Sequence, residues 1–271
     1  MSVLLKLTLA YDGTAYVGWQ RQASGTSIQG LVEDALSRLT GEPVTVHGAG
    51  RTDAGVHAFG QVASAAVAID LDAAIIRRAL NAALPPDVRV VTVEEAPAGF
   101  HARYSAAGKV YEYRIWQGDV QPPFARAWSW HHPRPIDVAA MDRAARLLEG
   151  CHDFSAFQSS GSRVASAVRT VSSARVGVED PGPGVVPPAE ASAGDAGLGN
   201  LVVIRVEADG FLRHMVRAIA GTLVEVGEGR RDPSSLPDLL ASRDRGASGA
   251  TAPALGLVLV RVFYPRPPDR A

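Results

Sequence analysis

The sequence predicts an α+β fold in which a β-α-β-β-α-β order runs twice along 271 residues. Three observations predict it. Apolar residues alternate at period two in some segments and recur at helical spacing in others. These segments follow one another in the same order in each half. The main interruption is a single Pro/Gly-rich stretch at residues 179–200. That doubled order is the ferredoxin-like pattern. It predicts two subdomains, residues 1–105 and 106–271, forming a continuous, mainly antiparallel sheet with helices on one face.

Each element has its own reason. In residues 3–10, Val3, Leu5, Leu7 and Leu9 share one face, as in a strand. Ile28, Leu31, Val32, Ala35, Leu36 and Leu39 then recur at three- and four-residue steps, which is an amphipathic helix. Ser27 can cap its start and Gly41 can end it. Residues 44–47 and 61–69 read as strands. Residues 72–84 read as a helix with Ile76, Leu80 and Ala83 aligned, stopped by Pro85-Pro86. Residues 88–93 close the first half as a strand. In the second half, residues 109–116 are a strand and 137–149 a helix with Val138, Met141, Ala145 and Leu148 aligned. Residues 168–178 and 201–208 are strands, and 211–226 is a helix. After a short helical segment at 236–241, residues 257–263 form the last strand.

Composition restricts the function classes. There are 27 Lys+Arg against 28 Asp+Glu, with 46% hydrophobic and 20% charged residues. That is enough apolar material for a core. The near-neutral charge does not advertise a nucleic-acid partner. However, Glu179, Asp180, Glu190 and Asp195 all fall in the 179–200 stretch, which has no Lys or Arg and reads as a flexible hairpin tip. Without those four acids, 27 cations face 24 acids. The cations are 25 Arg and only two Lys, Lys6 and Lys109. Cys151 is the one cysteine, so no intrachain disulfide and no cysteine-based zinc site is expected. The spacings of His131-His132 and of Cys151, His152 and Asp153 match no standard metal site. The start of the chain is too short and too interrupted for a signal peptide, and no apolar run approaches a membrane span. A cytoplasmic location is therefore expected.

The chemistry concentrates in residues 48–60, GAGRTDAGVHAFG, between two strands of the first half. Gly48 and Gly50 begin a dinucleotide-type pattern, but Asp53 occupies the third glycine position and no helix follows. No Gly-Lys-Ser/Thr phosphate loop is present. An Asp in such a bend often just holds backbone amides. Arg51 and His57 crowd reactive groups beside it, over a sheet face open to a ligand. Such a face is where several RNA-binding folds hold their substrate.

Residues 48–58, centred on Arg51 to His57, resemble the signature of the tRNA pseudouridine synthase A family. Residues 11–22 (YDGTAYVGWQRQ), 100–103 with 109–113, 210–217 (GFLRHMVR) and 252–259 (APALGLVL) resemble further family motifs in the same order, and 151–157 does so more loosely. The 179–200 tip is longer than is usual for the family.

The resemblance implies isomerisation of uridine to pseudouridine at positions 38 to 40 of the tRNA anticodon stem-loop. It implies an RNA-binding cleft, a homodimer, no cofactor, no metal and no membrane. A carboxylate suits such chemistry, and Asp53 is the expected nucleophile; attack at C1′, attack at C6 and abstraction of a 2′ proton all remain open. The match assigns Arg217 as the guanidinium that keeps Asp53 ionised and Tyr111 as the ring that stacks on uracil. It places Leu259 against the pocket, although a core leucine fits equally. The target base must be extruded from the stem, and Arg51 could fill the vacated stack or hold a flanking phosphate. His57 is expected to structure the loop. Arg77-Arg78, Arg230-Arg231 and the Arg243/Arg245 pair are candidate phosphate contacts. Two alternatives are a glycosidase-like enzyme, for which no second acid is evident, and a non-catalytic RNA-binding module on the same fold.

Overall fold

The computed structural model describes residues 2–159, 164–182 and 199–265. Most of the tip expected at 179–200 lies outside those residues. The chain divides into two compact units, Met1–Lys109 with Leu259–Ala271, and Val110–Val258.

The first unit follows the expected order: β1 (Ser2–Tyr11), α1 (Ile28–Thr40), β2 (His47–Gly48), β3 (His57–Ala68), α2 (Ala73–Ala83) and β4 (Val88–Glu95). Strand β1 pairs antiparallel with both β3 and β4, so Leu7 lies opposite Ala63 on one side and Val93 on the other. The final strand β10 (Leu257–Phe263) lies beside β3. The alternation in β1 buries Leu5, Leu7, Leu9 and Tyr11. Helix α1 covers this core with Ile28, Val32 and Leu36, all without exposure. Ser27 accepts the Gly30 amide at 3.2 Å and Gly41 ends the helix in the left-handed conformation, as the sequence predicts. Helix α2 packs on α1 and β4.

Two boundaries differ. The strand expected at 44–47 has only two residues, His47–Gly48, opposite Ser64 and Ala63. Strand β3 begins at His57 rather than Gln61, so the loop expected to carry the chemistry is shortened to residues 49–56. Continuous pairing with β1 down to the Tyr11–Ala58 pair causes this, past an irregularity after Leu9.

The second unit contains β5 (Gly108–Gln117, from Val110), β6 (Trp130–His132), α3 (Val138–Arg146), β7 (Gly150–Asp153), β8 (Val168–Glu179), β9 (Asn200–Ala208), α4 (Met215–Gly227) and α5 (Leu236–Ser242). Strands β7, β8 and β9 are antiparallel neighbours, whereas the short β6 runs parallel to β5. Strands β6 and β7 were not predicted; three or four residues carry too little periodicity to announce a strand. Helix α3 packs on β8 and α4.

Helix α4 starts at Met215, not at Phe211, because His214 takes a left-handed backbone (φ 61°) and interrupts the apolar run. Helix α3 ends at Arg146, short of the expected Glu149. No helix among the described residues is long and apolar enough to cross a membrane.

One buried charge is fixed in this unit. Glu112 on β5 is 4% exposed and meets Arg205 of β9 at 2.5 Å and Arg114 at 2.9 Å. Burial opposes its ionisation, but the two guanidinium groups prevail and hold its carboxyl below the usual range. A lowered folded value means that this stabilisation is present above the unfolded pKa and is lost as pH falls through the folded one. Replacing Glu112 by Gln is expected to cost on the order of 2 kcal/mol, less than for a fully buried pair because Arg205 is half exposed. Urea unfolding at neutral and acid pH checks this, and the mutant should lose less stability than wild type on acidification.

Candidate functional site

In the first unit the site is a loop clamped by a second loop. Residues 12–22 follow β1 and lie against residues 49–57. The Gly13 amide donates to Nδ1 of His57 at 3.0 Å. The Trp19 amide donates to the Thr52 carbonyl at 3.0 Å. The Tyr11 hydroxyl meets Thr52 Oγ1 at 2.8 Å, and Gln61 Nε2 donates to the Gly50 carbonyl at 2.9 Å. Gly18 fits this arrangement because its φ is +102° and a Cβ there would stand 2.5 Å from the Thr52 carbonyl oxygen. The two segments, some forty residues apart in sequence, are thus one folded piece.

His57 is wholly buried, and its role follows from one bond. Since Nδ1 accepts the Gly13 amide, that nitrogen carries no proton and the ring is neutral. Asp12 Oδ1 lies 3.2 Å from the same nitrogen, but this is no ion pair. That carboxylate oxygen instead accepts from the Thr14 amide at 2.9 Å and hydroxyl at 2.6 Å. His57 is therefore a loop-structuring residue, as expected.

The clamp leaves Arg51, Thr52 and Asp53 at different depths. Thr52 points inward and is 6% exposed. Asp53 beside it is half-buried and Arg51 is exposed. The Asp53 carbonyl accepts the Val56 amide at 3.1 Å, closing a turn whose third residue, Gly55, has φ +78°. Arg51 Nε donates to Gln20 Oε1 at 3.1 Å, and Gln20 is itself held by Gln29 at 2.7 Å. A Cβ built on Gly50 would come within 3.7 Å of the Lys109 ammonium, which places that cation over the loop. Sequence reasoning did not place Lys109 beside this loop. Its signal was its rarity, as one of two lysines among 27 cations. Leu259, also in this unit, is fully buried.

In the second unit, Tyr111 and Arg217 each sit in a defined setting. Tyr111 on β5 is 7% exposed, and its ring meets Phe211 edge-on at 5.0 Å. Tyr113, on the same face, is a core residue whose hydroxyl donates to the Pro253 carbonyl at 2.8 Å. Burial raises its pKa, against the smaller opposing effect of the Arg217 charge. Arg217 is half-buried in the first turn of α4. Its Nε donates to the Ala252 carbonyl at 2.7 Å while its own carbonyl accepts the Ala252 amide at 3.1 Å. Residues 210–217 and 252–257 are thereby joined, as the 11–22 and 48–58 segments are in the first unit.

Most of the other candidate arginines are occupied within the fold. Arg77 reaches the Val91 carbonyl, Arg231 pairs with Glu225 at 3.0 Å, Arg230 pairs with Glu228, and Arg243 pairs with Asp153 at 3.1 Å. His131 and His152 spend their Nε2 atoms on the carbonyls of Gly118 and Glu149. Among the described residues no group of three His, Cys, Asp or Glu side chains could hold a metal ion.

Comparison with known proteins agrees with these motifs. A family model described as tRNA pseudouridine synthase matches residues 8–105 and 144–265. The chain is 46% identical to the tRNA pseudouridine synthase A of Moorella thermoacetica over 262 residues, covering 96% of this chain and 99% of that protein. It is 46% identical to the protein of the same name from Myxococcus xanthus over 260 residues (96% and 91% covered). For the one from Geobacillus kaustophilus the identity is 40% over 265 residues (97% and 95% covered).

The clamp can be probed through Tyr11. Burial pushes its hydroxyl from 10.0 up to about 12, against smaller downward effects of its bonds to Thr52 and Gln61. With the folded value raised, this contribution to stability is complete below the unfolded pKa and is lost as pH rises through the folded one. Between about pH 9 and pH 12, wild type should therefore lose about 2–3 kcal/mol more than Tyr11→Phe. Urea unfolding of both proteins across that range measures the difference.

Proposed function

Because the chain belongs to the tRNA pseudouridine synthase family, we propose that its 49–56 loop is where a tRNA uridine reacts, with Asp53 as the nucleophile. The protein isomerises uridine to pseudouridine in tRNA. The observation that supports Asp53 is the clamp. It fixes Thr52 inward by two hydrogen bonds and leaves the next side chain, a carboxylate, half-exposed on a held backbone.

The reaction conserves every atom. The N1–C1′ bond of uridine breaks, the uracil turns, and a C5–C1′ bond forms. C5 gives up its proton and N1 gains one. If the Asp53 carboxylate attacks C1′, it displaces N1 and is displaced in turn by C5; if it adds to C6, that bond forms before N1–C1′ breaks and is broken by elimination after C5–C1′ has formed. No net redox change or phosphate donor is required. The base must leave its stack to react, and Arg51, exposed beside Asp53, is the proposed residue to take its place or hold the flanking strand. Tyr111 is the proposed ring against the uracil, Arg217 the proposed cation that keeps Asp53 ionised, and Leu259 an apolar wall.

We further read each unit as ferredoxin-like, with a sheet face open to RNA. The proposed target is the anticodon stem-loop at positions 38 to 40. The protein is proposed to act as a cytoplasmic homodimer, and light scattering that found monomer alone would remove the dimer.

The deciding experiment incubates unmodified tRNA with wild type and with Asp53→Asn and measures pseudouridine. Wild type should convert the tRNA. Asp53→Asn should form product at least ~1,000-fold more slowly while binding tRNA within about threefold of wild type. Product at the wild-type rate from the mutant would remove Asp53 from the reaction. Tight binding without product from wild type would favour a binding module. Arg51→Ala should lower turnover with an intact fold, and unchanged turnover and binding would remove Arg51.

A further inference from the structure

The second unit has an open pocket of about 460 Å³ lined by Ser159, Arg213, His214, Arg245 and Thr251. We propose that it binds one phosphodiester of the substrate RNA. The proposal rests on the tRNA reading above and gives it a definite anchoring point.

Four observations carry it. First, among the described residues the lining contains two guanidinium groups, one imidazole and two hydroxyls, and no carboxylate. A wall rich in donors suits a ligand that only accepts, and a phosphodiester is such a ligand. Second, Arg245 is already in place. Its Nη1 donates to Ser248 Oγ at 2.7 Å and to the Gly249 carbonyl at 3.0 Å, and its Nη2 donates to Thr251 Oγ1 at 2.7 Å. A cation held in this way loses little rotamer freedom when an anion arrives. Because Thr251 Oγ1 accepts from Arg245, its own proton is directed elsewhere.

Third, Ser159 Oγ is buried and has no hydrogen-bond partner among the described residues. Its backbone is tied to this site, since its amide donates to the Arg213 carbonyl at 3.2 Å. A buried hydroxyl in that position is satisfied by an acceptor bound in the pocket. Fourth, His214 takes a left-handed backbone (φ 61°, ψ 5°) directly before the thirteen-residue helix α4 and makes no side-chain cap hydrogen bond to it. A non-glycine residue in this conformation costs energy and tends to persist where a site needs it. Here it turns the chain so that Arg213 and His214 both line the pocket at the positive end of the helix.

Arg245 was a candidate phosphate contact from sequence, but Arg213, Ser159 and Thr251 were not. Unlike Arg230, Arg231 and Arg243, Arg213 and Arg245 face a pocket with no acid among its described lining residues. The substrate supplies the anion, because a tRNA brings a phosphate with every nucleotide.

The test measures tRNA dissociation constants over a salt series, together with KM and kcat for pseudouridine formation. It compares wild type, Arg213→Ala, Arg213→Lys, Ser159→Ala and, on the outer face of α1, Arg38→Ala. Arg213 is exposed, so its substitution should leave the fold intact. Arg213→Ala should raise Kd and KM together by about 5- to 10-fold with kcat within about twofold. It should also reduce the slope of log K against log salt by about one. Arg213→Lys should recover the slope, and Ser159→Ala should weaken binding without changing it. Arg38→Ala should match wild type.

If wild type modifies tRNA but Arg213→Ala shows the same KM and salt slope, the pocket assignment is overturned while the family reading stands. An equal loss in Arg38→Ala would also overturn it, by making the effect one of general charge. If inorganic phosphate stabilised wild type more than Arg213→Ala against heat while their tRNA slopes coincided, the pocket would be a free-phosphate site and the proposal wrong. A wild type that neither bound nor modified tRNA would defeat the family reading and this proposal together.

Discussion

The hydrogen bond from the Gly13 amide to Nδ1 of His57 is the constraint from which the first unit's site is built. A fully buried imidazole is costly to charge, so the ring stays neutral and needs a donor at its unprotonated nitrogen. The Gly13 amide supplies it and brings residues 12–22 down onto the sheet. Once that segment is down, Trp19 packs into the core and its amide reaches the Thr52 carbonyl. The carbonyl of Thr52 is then fixed, as its hydroxyl is by Tyr11. Three consecutive residues acquire three directions: Arg51 outward, Thr52 inward and Asp53 partly outward. The position of the carboxylate is thus set by the bonds that clamp its loop. This is how a loop can be as well held as a strand.

A second lock of the same kind operates around Arg217. Its main chain and side chain both bond Ala252, so the start of α4 and the segment leading to the last strand cannot separate without losing two hydrogen bonds. Tyr113 adds a third link through the Pro253 carbonyl. Tyr111 and Tyr113 show why neighbours on one strand face can have different uses. The hydroxyl of Tyr113 is committed to the backbone inside the core, and its ring is wholly buried. Tyr111 retains slight exposure and rests edge-on against Phe211, an aromatic pairing that steadies a ring without consuming its face.

Legibility in the sequence followed the range of the forces involved. Helix α1 was readable to its caps because Ser27 and Gly41 act locally. The alternation of β1 was readable because burial on one face sets the period. The start of β3 was misplaced because pairing with β1, a non-local force, carries His57 to Gln61 into the ladder despite Gly60. The start of α4 was misplaced because Phe211 and Leu212 continue its apolar pattern, while the left-handed turn at His214 leaves no sign in composition. That Arg51, Asp53 and His57 share one Gly-rich loop could be read from their spacing. That Lys109 comes close to Gly50 could not, because it does so from another strand.

The arginines give the charge balance its meaning. A net charge of −1 suggested little affinity for a polyanion, yet net charge counts cations that the fold itself neutralises. Arg205 and Arg114 are committed to Glu112, Arg175 to Glu149, Arg231 to Glu225 and Arg230 to Glu228. Such pairs contribute nearly nothing to the field at a distance beyond a Debye length of about 8 Å. What lies outside those pairs includes Arg51 beside Asp53, and Arg213 with Arg245 in a pocket with no acid among its described lining residues. An enzyme that must release its product gains from this arrangement. A uniformly basic surface would hold any RNA in many registers, whereas a few fixed guanidinium groups at the proposed uridine and phosphate sites would reward only the placement that fills both.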